Sequence, residues 1–138
     1  MKDLPWKDLL KAAARARANA HAPYSDYPVG AALVTPAGEI FTGCNVENAS
    51  YGLTICAERN AVAALVAAGG REIAGLVVIT KGPEPGSPCG ACRQVLAEFA
   101  DDLRIGLAVA GDRKPRVVKT LRDLLPDAFG GKLVKGRR

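Results

Sequence analysis

Apolar residues recur at helical spacing near the start of the chain. Leu4, Leu9, Leu10 and Ala13 stand among Lys and Arg, which predicts an amphipathic helix over about 3–21. Pro23 and Pro28 end it and bracket the turn Tyr24-Ser25-Asp26-Tyr27. The pattern then changes to strand-like runs at 29–35 and 40–43, joined by the hairpin turn Pro36-Ala37-Gly38-Glu39. A loop over 44–53 follows, and Thr54 is placed to cap a helix reaching about residue 68, ended by Gly69-Gly70. Leu76-Val77-Val78-Ile79 is continuous and β-branched, as in a strand buried on both faces. A proline-rich loop over 81–88 leads into a helix over about 90–100. Further strands are predicted at 105–110 and 116–119, with a short helix near 120–124. A hairpin followed by strand–helix–strand–helix–strand implies a mixed sheet of five strands with helices against its faces.

The 138 residues suit one domain, read here as 1–130, followed by a basic and flexible tail over 131–138. Hydrophobic residues at 49% and charged residues at 24% exclude a largely disordered chain. The longest nearly apolar stretch, 61–70, is half of the roughly 20 residues that a membrane span needs. Lys2, Asp3, Lys7 and Asp8 mix at the start instead of forming a basic-then-apolar leader, so the expected compartment is the cytoplasm and no membrane partner is expected. The net charge of +5 is scattered except for Lys132, Lys135, Arg137 and Arg138, which read as a solvated tail. No basic groove with interleaved aromatics is visible, so nucleic acid is not an expected partner.

The cysteines change the picture. In a reducing compartment four thiols point to metal binding, catalysis or burial rather than disulfides. Cys56-Ala57-Glu58 opens one predicted helix, and Pro88-Cys89-Gly90-Ala91-Cys92 opens another. A Cys-x-x-Cys turn lets two thiolates reach one ion, and a third from another helix start makes three protein ligands. Three ligands leave a tetrahedral ion one open position, the mark of a catalytic zinc. Helix N-termini also lower thiol pKa and stabilise the anion. Glu58, two residues after Cys56, is too close to bind comfortably beside it but can reach water in the open position, as a general acid–base must. Zinc deaminases of nucleobases use this arrangement, with Cys56 standing here where their H-x-E form has histidine.

Blander explanations stand beside each residue. An isolated Cys-x-x-Cys serves equally as a redox pair or half of a structural zinc knuckle. A redox pair does not need Cys56 and Glu58, and a structural site would close with a fourth ligand. Cys44, the spare thiol, reads as a small buried hydrophobe, and His21, the one imidazole, as a helix-end residue. Glu58 alone could be a favourable first-turn carboxylate.

The segments 54–61 (TICAERNA) and 87–94 (SPCGACRQ) resemble the small cytidine deaminases of nucleotide salvage. So do Pro23-Tyr24-Ser25, Tyr27-Pro28-Val29-Gly30-Ala31 and Gly43-Cys44-Asn45-Val46-Glu47-Asn48-Ala49. The likeness runs from about residue 22 to Phe129. It implies a three-layer α/β/α fold, one zinc per chain, a homotetramer with shared sites, and hydrolysis of cytidine and deoxycytidine to uridine and deoxyuridine through a zinc-bound hydroxide. It further implies that Cys56, Cys89 and Cys92 hold the zinc while Glu58 moves protons between water, ring N3 and the departing amine. Asn45 and Glu47 would take the ribose 3′-hydroxyl, which favours a free pyrimidine nucleoside as substrate. The backbone around Ala57 and Cys89 would read the pyrimidine edge, and Phe129 would reach a neighbouring subunit's base. The family usually has Phe where Tyr27 stands, so the hydroxyl of Tyr27 needs a partner. Arg59, with Gln94, would donate to the ligand sulfurs and offset their charge.

Rival readings are an antibiotic-nucleoside deaminase of the blasticidin type, a polynucleotide-editing deaminase, and a zinc module that only binds nucleic acid. Asn45, Glu47 and the closing LLPDAF segment speak against the first. The lack of a basic aromatic groove speaks against the second, and Glu58 against the third. The segment 61–68 is apolar all round with mostly small side chains, which predicts a helix buried on more than one side and a second copy covering part of it.

Overall fold

The computed structural model describes residues 3–135. Helix α1 spans Trp6–Arg17. Strands β1 (Gly30–Val34) and β2 (Ile40–Cys44) form the expected hairpin. After a 3-10 turn at Tyr51–Leu53 come α2 (Ala57–Ala67), β3 (Gly75–Thr80), α3 (Gly90–Phe99), β4 (Arg104–Val109) and β5 (Val117–Thr120). Two short helices close the chain, α4 (Leu121–Leu124) and α5 (Gly131–Lys135).

The five strands form one mixed sheet in the order β2-β1-β3-β4-β5. β3 and β4 run parallel, and every other neighbour pair is antiparallel. Alternation along the strands divides the core in two. Ala32, Val34, Val77 and Ile79 meet Leu9, Leu10 and Ala13 of α1 on one face. Ala31, Leu33, Leu76, Val78, Ile105 and Leu107 meet Ala61, Leu65 and Leu96 of α2 and α3 on the other. Both faces of the central strands are therefore covered, which is why β1 and β3 are buried at every position. The result is the expected three-layer arrangement.

Two approaches are so close that only glycine fits. A Cβ at Gly43 would lie 2.4 Å from the Ala57 carbonyl and 2.5 Å from Ala61 N, so β2 touches the backbone of α2. At Gly30 it would lie 2.1 Å from the Ala13 carbonyl of α1.

The start of α2 differs from expectation. Thr54 does not cap it: the N-cap is Cys56, and Thr54 is extended after the 3-10 turn. Ile55 exchanges two backbone hydrogen bonds with Val46, at 2.9 and 3.0 Å, and this bridge holds the chain straight until Cys56. Thr120, by contrast, caps α4 in a reciprocal capping box with Asp123. The segment expected to be a flexible tail carries α5, while Arg137 and Arg138 lie outside the described residues.

Candidate active site

Both cysteine-bearing helix starts lie on the same face of the sheet. Cys56 caps α2 and Cys89 caps α3, each with extended backbone and no side-chain capping bond, so both thiols are free to point elsewhere. They point at each other, with their sulfurs 3.7 Å apart. Cys92, fully buried one turn into α3, completes the group: the three sulfurs lie within 4.8 Å of one another. Among the described residues this is the one cluster of three or more metal-ligating side chains, and neither Cys44 nor His21 belongs to it. The Cys44 carbonyl instead accepts a bond from Asn60 Nδ2 at 2.8 Å.

The spacing suits an ion. In a tetrahedron with zinc–sulfur bonds of about 2.3 Å, two sulfurs stand about 3.8 Å apart. The group's titration points the same way. A hydrogen bond from the Cys92 thiol, then one from Arg59, pulls the Cys56 thiol down to about 5. The same bond to Cys56, with burial, pushes Cys92 up. Cys56 is thus the sulfur most readily ionised, and a divalent cation would draw thiolates from all three.

Arg59 supplies the neighbouring positive charge. Its Nη2 donates to Cys56 Sγ at 3.6 Å, and its buried Nε has no hydrogen-bond partner among the described residues. Gln94 does not stand beside it. Its amide donates to the Phe129 carbonyl at 2.8 Å, because a residue two after Cys92 projects from a different side of α3.

Beside the sulfurs opens a cavity of about 370 Å³, which reaches from Cys56, Cys89 and Glu58 to Glu47. Glu58 is only 5% exposed, and burial pushes its carboxyl up to about 7. Near neutrality such a group both accepts and returns a proton. Ala57 lines the cavity next to it. Tyr27 forms part of the wall, with its hydroxyl against Gly86.

At the opposite end the turn after α1 is tied to residues 45–47. Asn45 is 8% exposed; its Oδ1 accepts from Val29 N at 2.8 Å and its Nδ2 donates to the Tyr27 carbonyl at 2.9 Å. Much of its bonding capacity therefore goes to the turn. Glu47 Oε1 accepts from Tyr24 N and Ser25 N at 2.9 and 3.2 Å, and its Oε2 takes the Ser25 hydroxyl. The Ser25 bond, above all, holds the Glu47 carboxyl below its ordinary value. Phe129 is 60% exposed and is not part of the wall.

The wall residues that carried no expectation of a site role include Ser25, Thr80 and Gly86. Thr80 ends β3, and ligands in open α/β sheets bind outside the carboxyl ends of strands, so the topology could have pointed to it. Thr80 Oγ1 accepts from Gly86 N at 2.7 Å and so shapes the loop that carries Cys89. The role of Ser25 depends on a contact 22 residues away and has no local signal.

Residues 5–106 match the family described as the cytidine and deoxycytidylate deaminase zinc-binding region. A cytidine deaminase from Mycobacterium tuberculosis is 45% identical over 130 residues, covering 94% of this chain and 93% of that protein. One from Halalkalibacterium halodurans is 44% identical, covering 88% of this chain and 91% of that protein. The crystal structure of cytidine deaminase from Burkholderia pseudomallei superposes with a TM-score of 0.82 at 46% identity, covering 91% of this chain and all of that one (100%).

Proposed function

The chain belongs to the cytidine and deoxycytidylate deaminase zinc-binding family, and on that premise we propose that its cavity converts free cytidine and deoxycytidine to uridine and deoxyuridine in pyrimidine salvage. The enzyme is a zinc-dependent hydrolytic deaminase. One observation carries the assignment of its site: a buried carboxyl, Glu58, stands in the same cavity as a three-sulfur cluster.

Cys56, Cys89 and Cys92 hold the zinc. Bound there, the ion would make a water molecule nucleophilic at neutral pH. Glu58 takes a proton from the attacking water, delivers one to ring N3 and later one to the exocyclic amine, which leaves as ammonia. The amidine end of the base lies toward Glu58, and the backbone around Ala57 and Cys89 reads the pyrimidine edge. Tyr27 flanks the base as part of the wall. At the other end Asn45 and Glu47 accept and orient the ribose 3′-hydroxyl. A phosphate at that position would face a carboxylate, which favours the free nucleoside. Three thiolates on a divalent ion leave one net negative charge, and the Arg59 guanidinium beside Cys56 offsets it.

Mixing the zinc-loaded protein with cytidine should release ammonia and shift the ultraviolet spectrum to that of uridine. Absence of both with metal bound would overturn the reading. Elemental analysis and X-ray absorption should give one zinc per chain, held by three sulfurs and one lighter ligand.

No described helix is long and apolar enough to cross a membrane, and the family resemblance supports a cytoplasmic enzyme. It also supports a homotetramer with shared sites. Ala63 and Ala67 of α2 are exposed in the single chain, as are Tyr51, Leu53 and Phe129, which leaves an apolar surface for other copies to cover. Light scattering should give about four times the chain mass, with Phe129 completing a neighbour's cavity. Phe129→Ala should then raise KM without unfolding the subunit. A fully active monomer would exclude the shared site.

A further inference from the structure

The two ends of the nucleoside are gripped by segments far apart in the chain, and one hydroxyl joins them. Ser25 Oγ donates to Glu47 Oε2 and accepts from Tyr27 N at 3.0 Å. It therefore bonds at once to the carboxylate at the sugar end of the cavity and to the backbone of the aromatic wall residue. The circuit closes through Asn45, whose amide holds the Tyr27 carbonyl from the other side.

This arrangement has a use beyond stabilising a turn. An ionised carboxylate accepts about four hydrogen bonds. In Glu47 three places are taken, two on Oε1 and one on Oε2, so the remaining capacity lies on Oε2. The two backbone donors alone would bind one oxygen and leave the other unheld. The Ser25 hydroxyl fixes the second oxygen, and with it the direction in which the last lone pair is offered. The bond also holds the carboxyl below its ordinary value, and the ionised group is an acceptor only. Because the same hydroxyl accepts from Tyr27 N, the carboxylate and the backbone that carries the ring are tied to one group.

We propose that Ser25 is a positioning residue for sugar recognition, locking the Glu47 carboxylate and the Tyr27 ring in a fixed relation so that sugar hydroxyl and base are held as one unit. The proposal rests on Glu47 being the sugar-binding carboxylate proposed above. Ser25 touches neither the reacting atoms nor the sulfur cluster, so its effect belongs in binding and not in the chemical step.

The test is steady-state kinetics of the zinc-loaded enzyme with cytidine and 3′-deoxycytidine, for wild type, Ser25→Ala, Ser25→Thr and Glu47→Ala. Ser25→Ala should raise KM for cytidine by about tenfold, as expected for loss of a charge-assisted bond, with kcat within about twofold. KM for 3′-deoxycytidine, which lacks the hydroxyl that Glu47 accepts, should rise by a smaller factor, so discrimination between the two substrates shrinks. Ser25→Thr keeps the hydroxyl and should restore discrimination. If Ser25→Ala retains the wild-type KM, or loses kcat equally on both substrates, the positioning role is overturned while the role of Glu47 stands. If Glu47→Ala itself leaves discrimination unchanged, the sugar assignment fails and the proposal falls with it.

Discussion

Glu58→Gln should leave the fold and the zinc in place while kcat falls by about 10⁴-fold or more. A general acid–base group contributes roughly 10² to 10⁴-fold to one proton transfer. Glu58 is asked to serve several in turn: from water, to ring N3 and to the leaving amine. Glutamine keeps the size and can still hydrogen bond, so it removes proton transfer without opening a void. The matching measurement is zinc content beside turnover, and a metal-loaded variant within tenfold of wild type would reduce Glu58 to a structural carboxylate. The same substitution has an opposite signature in the metal-free protein. Burial raises the folded carboxyl from an ordinary 4.5 to about 7, so folding favours its protonated form. Its stability is therefore full below the unfolded value and declines as pH rises through 7. Glutamine has no such decline. Metal-free Glu58→Gln should match wild type near pH 4 and exceed it above pH 7, by on the order of 3 kcal/mol at most. Denaturant melts at the two pH values would show it.

Cys92→Ala should abolish metal retention and, with it, activity. Cys92 is fully buried in α3 and its loss leaves two sulfurs, one of them, Cys89, exposed to solvent. Two ligands with an exposed member do not retain zinc against dilution. Without the ion, water keeps its ordinary acidity, and activity should drop by on the order of 10⁴-fold or more. Alanine is small and apolar in an apolar setting, so circular dichroism should still report a folded chain. Full zinc occupancy with activity within tenfold of wild type would remove Cys92 from the metal site.

The elements of the fold were legible where the pattern is local. The continuous apolar runs of β1 and β3 and the stripe of α1 identify themselves because these strands bury both faces and the helix buries one. The start of α2 was not legible, since Thr54 offers a capping side chain but the Val46–Ile55 bridge keeps the backbone extended past it. The sulfur cluster was legible because short spacings within one turn and two helix starts leave few other geometries. Ser25 was quoted in a motif but had no evident partner until the fold brought residue 47 beside it.

Gly43 has no chemistry, yet metal retention depends on it. With backbone atoms of α2 at 2.4 and 2.5 Å from where its Cβ would stand, any side chain there must push the helix start outward. A hydrophobic core tolerates such a shift by repacking, at a modest loss of free energy. A coordination sphere does not, because its bond lengths hold to within about 0.2 Å. Cys56 rides on that helix start, so a displaced α2 would open the bite of the site well before the domain melted. Damage at a structural glycine would thus present as a cofactor deficiency, a folded protein with weakened affinity for its ion. By mass action a richer supply of metal would restore it.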